Sequence, residues 1–333
     1  MQDKIVLGVE SSCDETSMAI IKNDVLVAHF TTTSADVQSR YGGVVPEVAS
    51  RYHMKNIHYV FDQVLKQAGI SPFDITHIAY TACPGLPGCL HVGITFSKTL
   101  AQATGAKLVP INHLYGHLFS AYIESGEPVF PMLGLVASGG HTSIYYAKNY
   151  QEIEVLNETQ DDAIGEVYDK VARIIGWPYP GGPTIDKNYD ESKAKIQFME
   201  GMPATNKFSY SGLKTCVINY VHNKKQHNET IDQVEIASSF QKYAIDDIMK
   251  KVKHSLKLNN VNCIALGGGV SANSLLRKKM MELDVQKVDI PLLKYTGDQA
   301  AMIAHYGNKL IEEIERNEKL QGVQNVERKN LVH

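Results

Sequence analysis

The sequence predicts an α/β protein built from two related lobes, and three observations support this fold class. The chain has 333 residues, a length that suits two domains or one bilobal unit. Residues 6–21 and 132–147 align without a gap, at an offset of 126 positions. Strand-like apolar runs and amphipathic helical stretches both occur along the chain, as expected for helices packed on sheets.

The aligned segments, VLGVESSCDETSMAII and MLGLVASGGHTSIYYA, form an internal repeat. Their identical positions are Leu7/Leu133, Gly8/Gly134, Ser12/Ser138, Thr16/Thr142 and Ser17/Ser143. Each copy is an apolar run, a small polar turn and a second apolar run, a pattern that predicts a β-hairpin. We therefore expect each lobe to open with the same strand–turn–strand unit.

Composition limits the possible partners and the compartment. The chain is 44% hydrophobic and its net charge is −3, so a nucleic-acid partner would have to use a local basic patch. Residues 250–257 and 277–279 are candidates, although both also suit solvated helix faces. The five cysteines include no Cys-x-x-Cys pair. Without a signal peptide or a membrane-spanning apolar stretch, we expect a reduced, cytoplasmic protein that does not enter the membrane.

The first repeat carries carboxylates in its turn, ESSCDET at residues 10–16. Glu10, Asp14 and Glu15 suit a role as acid or base, or as holders of a metal-bound water. Ordinary turn chemistry of Asp and Ser explains the same residues equally well.

The segment INHLYGHL places His113 and His117 four residues apart, which puts both rings on one face of a helix. A zinc peptidase needs a Glu directly after the first His, but Leu114 stands there. A catalytic metal also needs a third protein ligand. From these residues alone, a metal pair and two ordinary histidines both remain open.

Two glycine-rich segments follow. SGGHT at residues 138–142 can bring backbone N–H groups close to an anion, or form a plain hairpin turn. In CIALGGGVSAN, residues 261–266 predict a buried strand and residues 267–269 a turn. We expect Ser271 to cap a helix that starts near Ala272.

Two further helices are predicted. DDAIGEVYDKVARIIG is amphipathic, ends at Gly176 and leads into the rigid turn YPGGP, with Asp169 and Asp186 flanking it. Its core positions are Ala163, Val167, Val171 and Ile174. Asp298 precedes an apolar helix, as an N-cap or in another role, and the chain turns polar and is expected to fray after about residue 317.

The ordered set of motifs resembles the bacterial TsaD family, which are tRNA adenosine threonylcarbamoyltransferases of the actin-like (ASKHA) superfamily. The resemblance covers residues 4–315 and rests on ESSCDET, YGGVVPEVASRYH, PGLPGCLHVG, NHLYGH, SGGHT, DDAIGEVYDK, YPGGP, FSYSGLKT, SSFQ and GGGVSAN. It implies a ribonuclease H-like fold with duplicated lobes and a central cleft. The implied lobes are residues 1–110 with 297–320, and 111–296, followed by a polar tail at 321–333.

The resemblance also implies a set of site residues. The metal ligands fall on His113, His117 and Asp298, and the bound ion is one Fe²⁺ per chain, with zinc as the alternative. The acidic pair implicated in activity falls on Asp14 and Glu15. The substrate-binding residues fall on Val136, Ala137, Ser138, Gly139, Gly140, Asp169, Gly182, Asp186 and Asn273. Cys83, Ala137 and Gln299 depart from the family pattern, but none of them replaces a ligand.

The implied reaction moves a threonylcarbamoyl group from threonylcarbamoyl-adenylate to the exocyclic amine of the adenosine beside the anticodon, in tRNAs reading codons that start with A. Implied partners are tRNA, a TsaB-like paralogue and a TsaE-like ATPase. The alternatives are an actin-like ATPase or small-molecule kinase, a metallopeptidase and a non-catalytic scaffold. Phosphate-bound Mg²⁺ has no use for two imidazoles, which argues against the first. Leu114 argues against the second, and a complete ligand set argues against the third.

Overall fold

The structure is a computed structural model that describes residues 3–199 and 207–330. It contains two mixed sheets, each with five strands in this part of the chain. The first sheet has the order β3-β2-β1-β4-β5. Its strands are β1 (Ile5–Glu10), β2 (Glu15–Lys22), β3 (Val25–Thr33), β4 (His77–Cys83) and β5 (Lys107–Asn112).

The second sheet repeats the first strand for strand, with the order β8-β7-β6-β9-β10. Its strands are β6 (Met132–Ala137), β7 (Thr142–Ala147), β8 (Ile153–Glu158), β9 (Cys263–Gly267) and β10 (Lys287–Asp289). In both sheets the first three strands pair antiparallel and the last two add in parallel. The predicted duplicated α/β fold, with a hairpin opening each half, is confirmed.

Helices cover both faces of each sheet. They are α1 (Ala35–Gln38), α2 (Pro46–Ala68), α3 (Pro87–Thr104), α4 (His113–Leu118), α5 (Ile164–Ile174), α6 (Gly181–Lys187), α7 (Ser211–Gln226), α8 (Gln233–Leu258), α9 (Ser274–Met281) and α10 (Ala300–Asn330). Helices α2 and α3 pack against the outer face of the first sheet, whereas α5, α7 and α8 share a core with the second. None of the described helices is long and apolar enough to cross a membrane.

The two halves are joined by helices α4 and α10, which lie between the sheets. Helix α4 follows the first sheet in sequence but packs on β6 and β9, whereas α10 follows the second sheet and packs on β1 and β2. A single apolar cluster contains side chains of both sheets and both helices. The two helices are therefore exchanged between the halves.

The repeated glycines lie where these helices cross the strands. A Cβ atom at Gly8 would come within 2.5 Å of the Ala300 carbonyl oxygen, and one at Gly134 within 1.8 Å of a Leu118 methyl carbon. Real side chains never approach this closely, because packed atoms repel steeply at such distances. The repeat thus keeps glycine where a helix backbone or side chain lies directly on the first strand.

Several local predictions need correction. Helix α9 is capped by Asn273, whose Oδ1 accepts from the backbone N–H of Leu276 at 2.9 Å, and not by Ser271. Ser271 lies in a preceding 3-10 turn. The strand expected at 261–266 begins at Cys263. Helix α10 extends through residue 330, and residues 331–333 of the predicted tail lie outside the described residues.

Other helix predictions agree with the structure. In α5, Val167 and Val171 are fully buried, and Gly176 follows the helix with a positive φ of 87°. Ala163 is buried at the N-cap position, just before the helix begins, and Ile174 is only partly buried. Gln299 caps α10, because its Oε1 accepts from the N–H of Met302 at 3.1 Å. A plain N-cap role for Asp298 is therefore unnecessary.

The expected basic patches are interrupted. The Lys251 ammonium is buried against Asp247, and Lys279 pairs with Asp246. Arg277 donates to the backbone carbonyl oxygens of Ser271 and Pro291, each at 3.0 Å. At least three basic side chains of these two segments thus bind within the protein, which weakens both segments as continuous cationic surfaces.

Candidate metal centre and the two turns beside it

The exchanged helices bring His113, His117 and Asp298 together from distant parts of the sequence. Helix α4 starts at His113, because the side chain of Asn112 caps it by accepting from the N–H of Leu114 at 2.9 Å. His117 lies one turn further on the same face. Asp298 stands two residues before α10, so the beginnings of the two helices meet at one point.

The geometry of these three residues suits a single cation. The Nε2 atom of His117 lies 2.9 Å from the Asp298 carboxylate, and the Nε2 atom of His113 lies 3.4 Å from the same oxygen. Their ligand atoms all lie within 4.8 Å of one another. Both histidines are buried and Asp298 is partly exposed. Two imidazoles and one carboxylate can hold a transition metal and leave positions open.

Glu10 orients the first histidine. Its Oε2 atom lies 2.9 Å from Nδ1 of His113 and accepts from the Thr81 hydroxyl at 2.5 Å. Its Oε1 atom accepts from the N–H of Ser12 at 2.6 Å. A carboxylate on Nδ1 places the imidazole proton there and leaves the lone pair of Nε2 facing Asp298, the arrangement found behind histidine ligands of metals. The donor set therefore fits a metal ion.

In the sequence Glu10 groups with Asp14 and Glu15, and its role behind His113 is visible only in the structure. Burial acts to raise the pKa of the Glu10 carboxyl, yet the adjacent His113 outweighs burial and lowers it. The sequence does carry a signal for this role, because Glu10 ends an otherwise apolar run. The structure buries all six residues of that strand. A charged residue in such a strand needs a partner.

The acidic turn, residues 10–16, borders the three-residue cluster on one side. Glu10 contacts His113, and the Ser12 hydroxyl lies 3.2 Å from Nδ1 of the same ring. Glu15 is only partly exposed, and this burial raises the pKa of its carboxyl well above the ordinary value. The negative charges of Asp298 and Asp14 raise it further. A carboxyl with a raised pKa is a stronger base once it is deprotonated.

The glycine turn, residues 138–142, borders the cluster from the other half of the molecule. Burial lowers the pKa of His141, and the nearby His113 and His117 lower it further. The turn is closed by Ser138, whose N–H donates to the His141 carbonyl oxygen at 2.8 Å. Gly139 and Gly140 are exposed, and within the described residues their N–H groups donate to no partner. These two N–H groups can receive an anion.

The loop of three glycines at residues 267–269 packs against the histidine helix α4 on one side and against strand β6 on the other. A Cβ atom at Gly267 would lie 2.1 Å from the His117 carbonyl oxygen. The next residue, Gly268, has a positive φ of 84° and approaches the Ala137 carbonyl oxygen. Only glycine fits between the histidine helix and the strand that leads into the glycine turn.

The remaining predicted substrate residues divide into two groups. Val136 and Ala137 are fully buried in β6. Asp169 accepts from the N–H of Gly181 at 2.7 Å, so it ties α5 to the loop that contains Gly182. Burial raises the pKa of the Asp169 carboxyl.

Asp186 and Asn273 form a second group with a residue that sequence reasoning missed. Gln241 donates to Asp186 at 3.0 Å and accepts from Asn273 at 2.9 Å. Asp186 also accepts from the hydroxyl of Ser274 at 2.9 Å. Gln241 is the last residue of the motif SSFQ, and it is buried in the structure. A buried glutamine needs hydrogen-bond partners, so its place in that motif could have indicated this role.

Comparison with known proteins adds a family relationship. A sequence model of the family described as TsaD, tRNA N6-adenosine threonylcarbamoyltransferase, matches residues 25–305. Among curated proteins, the tRNA N6-adenosine threonylcarbamoyltransferase of Ureaplasma parvum is 58% identical over 92% of this chain and 96% of its own length. Those of Mycoplasma pneumoniae and Thermosipho africanus are 45% and 44% identical, over 93% and 97% of this chain and 98% and 99% of their own lengths.

Solved structures support the fold. T. kodakarensis HypF aligns with a TM-score of 0.58 at 14% identity, over 94% of this chain and 48% of HypF. Component A of the Acidaminococcus fermentans (R)-2-hydroxyglutaryl-CoA dehydratase aligns with a TM-score of 0.52 at 15% identity, over 91% and 96% of the two chains. At this level of identity the similarity concerns the actin-like fold alone.

Proposed function

The chain belongs to the TsaD family of tRNA N6-adenosine threonylcarbamoyltransferases, and from this membership we propose where and how the transfer takes place. As a member it is a transferase that modifies an adenosine of tRNA at N6. We assign the reaction to the space beside His113, His117 and Asp298. The observation that supports this assignment is that the acidic turn and the glycine turn border the same three side chains.

The proposed donor is threonylcarbamoyl-adenylate, and the acceptor is the adenosine beside the anticodon. The N6 amine of adenosine attacks the carbamoyl carbon and forms a new C–N bond. The bond between that carbon and the phosphate oxygen breaks, and AMP leaves with the electron pair. The amine loses one proton, so a nearby base is needed to accept it.

The chain offers a group for each of these requirements. Gly139 and Gly140 present N–H donors to the phosphate of the donor or to negative charge that develops during transfer. Glu15 or Asp14 accepts the amine proton, and the raised pKa of Glu15 favours this role near neutral pH. Asp169, Asp186 and Asn273 hold the loops that shape the rest of the site.

The metal belongs to this proposal as well. His113, His117 and Asp298 would hold it, and Glu10 would fix the orientation of His113. A bound Fe²⁺ or Zn²⁺ would supply Lewis acidity for the transfer. Imidazole ligands suit both ions, and we propose Fe²⁺ as the resident metal, one per chain.

We further propose that the protein works in the cytoplasm, where its tRNA acceptor is found. There it would act with a TsaB-like paralogue and a TsaE-like ATPase, as the family resemblance implies. These partners would share the binding of tRNA, because the net charge of −3 and the interrupted basic segments give this chain a limited cationic surface.

The proposal is tested with purified protein, partners, threonylcarbamoyl-adenylate and unmodified tRNA. Nucleoside analysis should show the modified adenosine with the wild-type chain. The His113→Ala and His117→Ala variants should lose both metal and product while keeping their melting temperature within a few degrees. His91→Ala, which changes an exposed histidine on α3, is the matched control and should retain both. Stoichiometric metal that survives dialysis in the double variant, His113→Ala with His117→Ala, would contradict the assignment.

A further inference from the structure

His53 is a fully buried histidine that lies outside the cluster of metal-binding candidates. It lies on α2, whose other buried residues are all apolar. Its Nδ1 atom lies 2.7 Å from the hydroxyl of Thr16, and its Nε2 atom lies 2.8 Å from the carbonyl oxygen of Cys13. The two contacts lie on either side of Asp14 and Glu15 in sequence.

The chemistry of these contacts determines which nitrogen of the His53 ring carries the proton. A backbone carbonyl oxygen can only accept, so Nε2 must carry the proton and donate it to Cys13. In the neutral ring Nδ1 then accepts, and the Thr16 hydroxyl donates to it. Burial lowers the pKa of His53, which favours this neutral form. Both polar atoms of the buried ring are satisfied by the acidic turn alone.

A second polar group holds the next residue of the turn. The carbonyl oxygen of Asp14 accepts from both the N–H and the hydroxyl of Ser34, at 3.0 and 3.2 Å. The Ser34 hydroxyl in turn accepts from Nε2 of Gln38 at 3.4 Å. Ser34 and Gln38 are also buried. Consecutive carbonyl oxygens, those of Cys13 and Asp14, are thus fixed by buried side chains.

We propose that His53 is a positioning residue for the transfer reaction, acting through the backbone of the acidic turn. This inference rests on the proposed role of Asp14 or Glu15 as the proton acceptor. The ring clamps the turn at Cys13 and Thr16, and thereby sets the distance from the carboxylate to the reacting amine. Displacement of a reacting group by about 1 Å costs roughly 10²-fold in rate.

The test compares two substitutions at Thr16 and two at His53 in the complete complex. Thr16→Val keeps the shape but removes the hydroxyl donor, and Thr16→Ser restores it. His53→Leu removes both hydrogen bonds, whereas His53→Gln keeps a donor for Cys13. In single-turnover transfer with saturating donor and tRNA, we expect Thr16→Val and His53→Leu to be slower by roughly 10- to 100-fold. Thr16→Ser and His53→Gln should recover most of the rate.

Metal content and donor affinity separate positioning from loss of structure. Both should stay at the wild-type level in Thr16→Val, because the clamp touches neither His113 nor Asp298. A fall in metal content or donor binding that parallels the rate would overturn the inference. Thr16→Val still tests the inference if His53→Leu fails to fold, because this variant leaves the histidine in place.

A double variant distinguishes this inference from the proposed function. Glu15→Gln and Asp14→Asn are measured first, and the slower one is combined with Thr16→Val. If the clamp acts only through the carboxylate, the double variant should be no slower than the single carboxylate variant. Multiplicative losses, or wild-type rates for Thr16→Val and His53→Leu, would overturn the clamp and leave the proposed function intact. Wild-type rates for both carboxylate variants would remove the proton acceptor itself, and the clamp with it.

Discussion

The two hairpins that open the halves of this protein share a fold but differ in the chemistry of their turns. Strands β1 and β2 pair in the same sense as β6 and β7, and each hairpin has a helix crossing its first strand at a glycine. The turn of the first hairpin carries Glu10, Asp14 and Glu15. At the equivalent positions, the second has Val136, Gly140 and His141. One turn offers carboxylates and the other offers backbone N–H groups.

Two of the identical pairs, Thr16/Thr142 and Gly8/Gly134, have structural roles in both copies. Thr16 binds His53 on α2, and the equivalent Thr142 accepts from the N–H of Ile164 at 3.0 Å, where α5 begins. Gly8 and Gly134 make room for α10 and α4. The carboxylates of the acidic turn and the exposed glycines of the glycine turn lie at positions that differ. The duplicated hairpin therefore acts as a scaffold that anchors helices, and its turn can change without loss of the fold.

The largest effect is expected from removing the basicity of the acidic turn. Glu15→Gln keeps size and hydrogen bonding but cannot accept a proton, so transfer should fall by roughly 10²- to 10⁴-fold. Single-turnover transfer to purified tRNA measures it, with metal content determined on the same sample. Glu154→Gln, on the exposed face of β8 in the other half, is the control and should react at the wild-type rate. A parallel loss of metal would mean that Glu15 orders the metal instead.

The buried carboxylate at the end of β1 should affect the metal more than the fold. Glu10→Gln removes the negative charge that orients His113, so metal affinity should fall by roughly 10- to 100-fold. Competition with a chelator of known affinity measures this change. Val136, the equivalent position in the second hairpin, should tolerate Val136→Ile without any change in metal affinity. Equal metal affinity in Glu10→Gln and the wild type would show that Glu10 does not support the site.

Alanine substitution should cost more stability at the glycines of the helix crossings than at a glycine of the turn. Gly8→Ala and Gly134→Ala force a Cβ atom into a crossing helix and should each cost about 1–3 kcal/mol of stability, or more if the helix cannot shift. Gly139→Ala should change stability by less than about 0.5 kcal/mol, because no atom lies within 4 Å of its added Cβ. Urea unfolding followed by circular dichroism compares the three. A tolerated alanine at Gly8, whose Cβ would meet backbone atoms of Ala300 and Ala304, would disprove the close crossing of α10.

The smallest effect concerns a serine that is identical in both copies. The Ser17 hydroxyl accepts from the N–H of Ala300 at 2.9 Å, at the start of α10. Ser17→Ala should destabilise the protein by about 1 kcal/mol. It should also loosen the first turn of α10, which begins two residues after Asp298. Ser143→Ala removes the equivalent hydroxyl from the second hairpin and should leave α10 unaffected. Hydrogen exchange at the Ala300 amide distinguishes the two variants.

Local pattern was enough to predict the hairpins, because alternating apolar runs around a polar turn determine strand pairing over short distances. The helical exchange was not predictable in this way. Contacts such as that of Gly8 with Ala300 join residues far apart in sequence, and a lone glycine does not say what will lie against it. Helix caps were also ambiguous, since Ser271 and Asn273 are both good capping residues two positions apart, and the structure selects Asn273.

In the candidate site, too, the local sequence predicts some features and not others. Spacing brought His113 and His117 to one face of a helix, but neither the spacing nor the composition could identify Asp298 as their neighbour. That residue was located by resemblance, and it reaches the histidines because α10 crosses back to the first sheet. His53 carries no distinguishing pattern at all, because a histidine among apolar residues on a helix is compatible with many environments.

X-ray absorption at the metal K-edge of the purified protein tests the central claim most directly. We expect one metal per chain, and its spectrum should contain two imidazole ligands with the remaining ligands oxygen. The spectrum and the metal should both be lost in His117→Ala, and both should be unchanged in His91→Ala. A metal with sulfur ligands, or a stoichiometric metal that survives His117→Ala, would contradict a centre built from His113, His117 and Asp298.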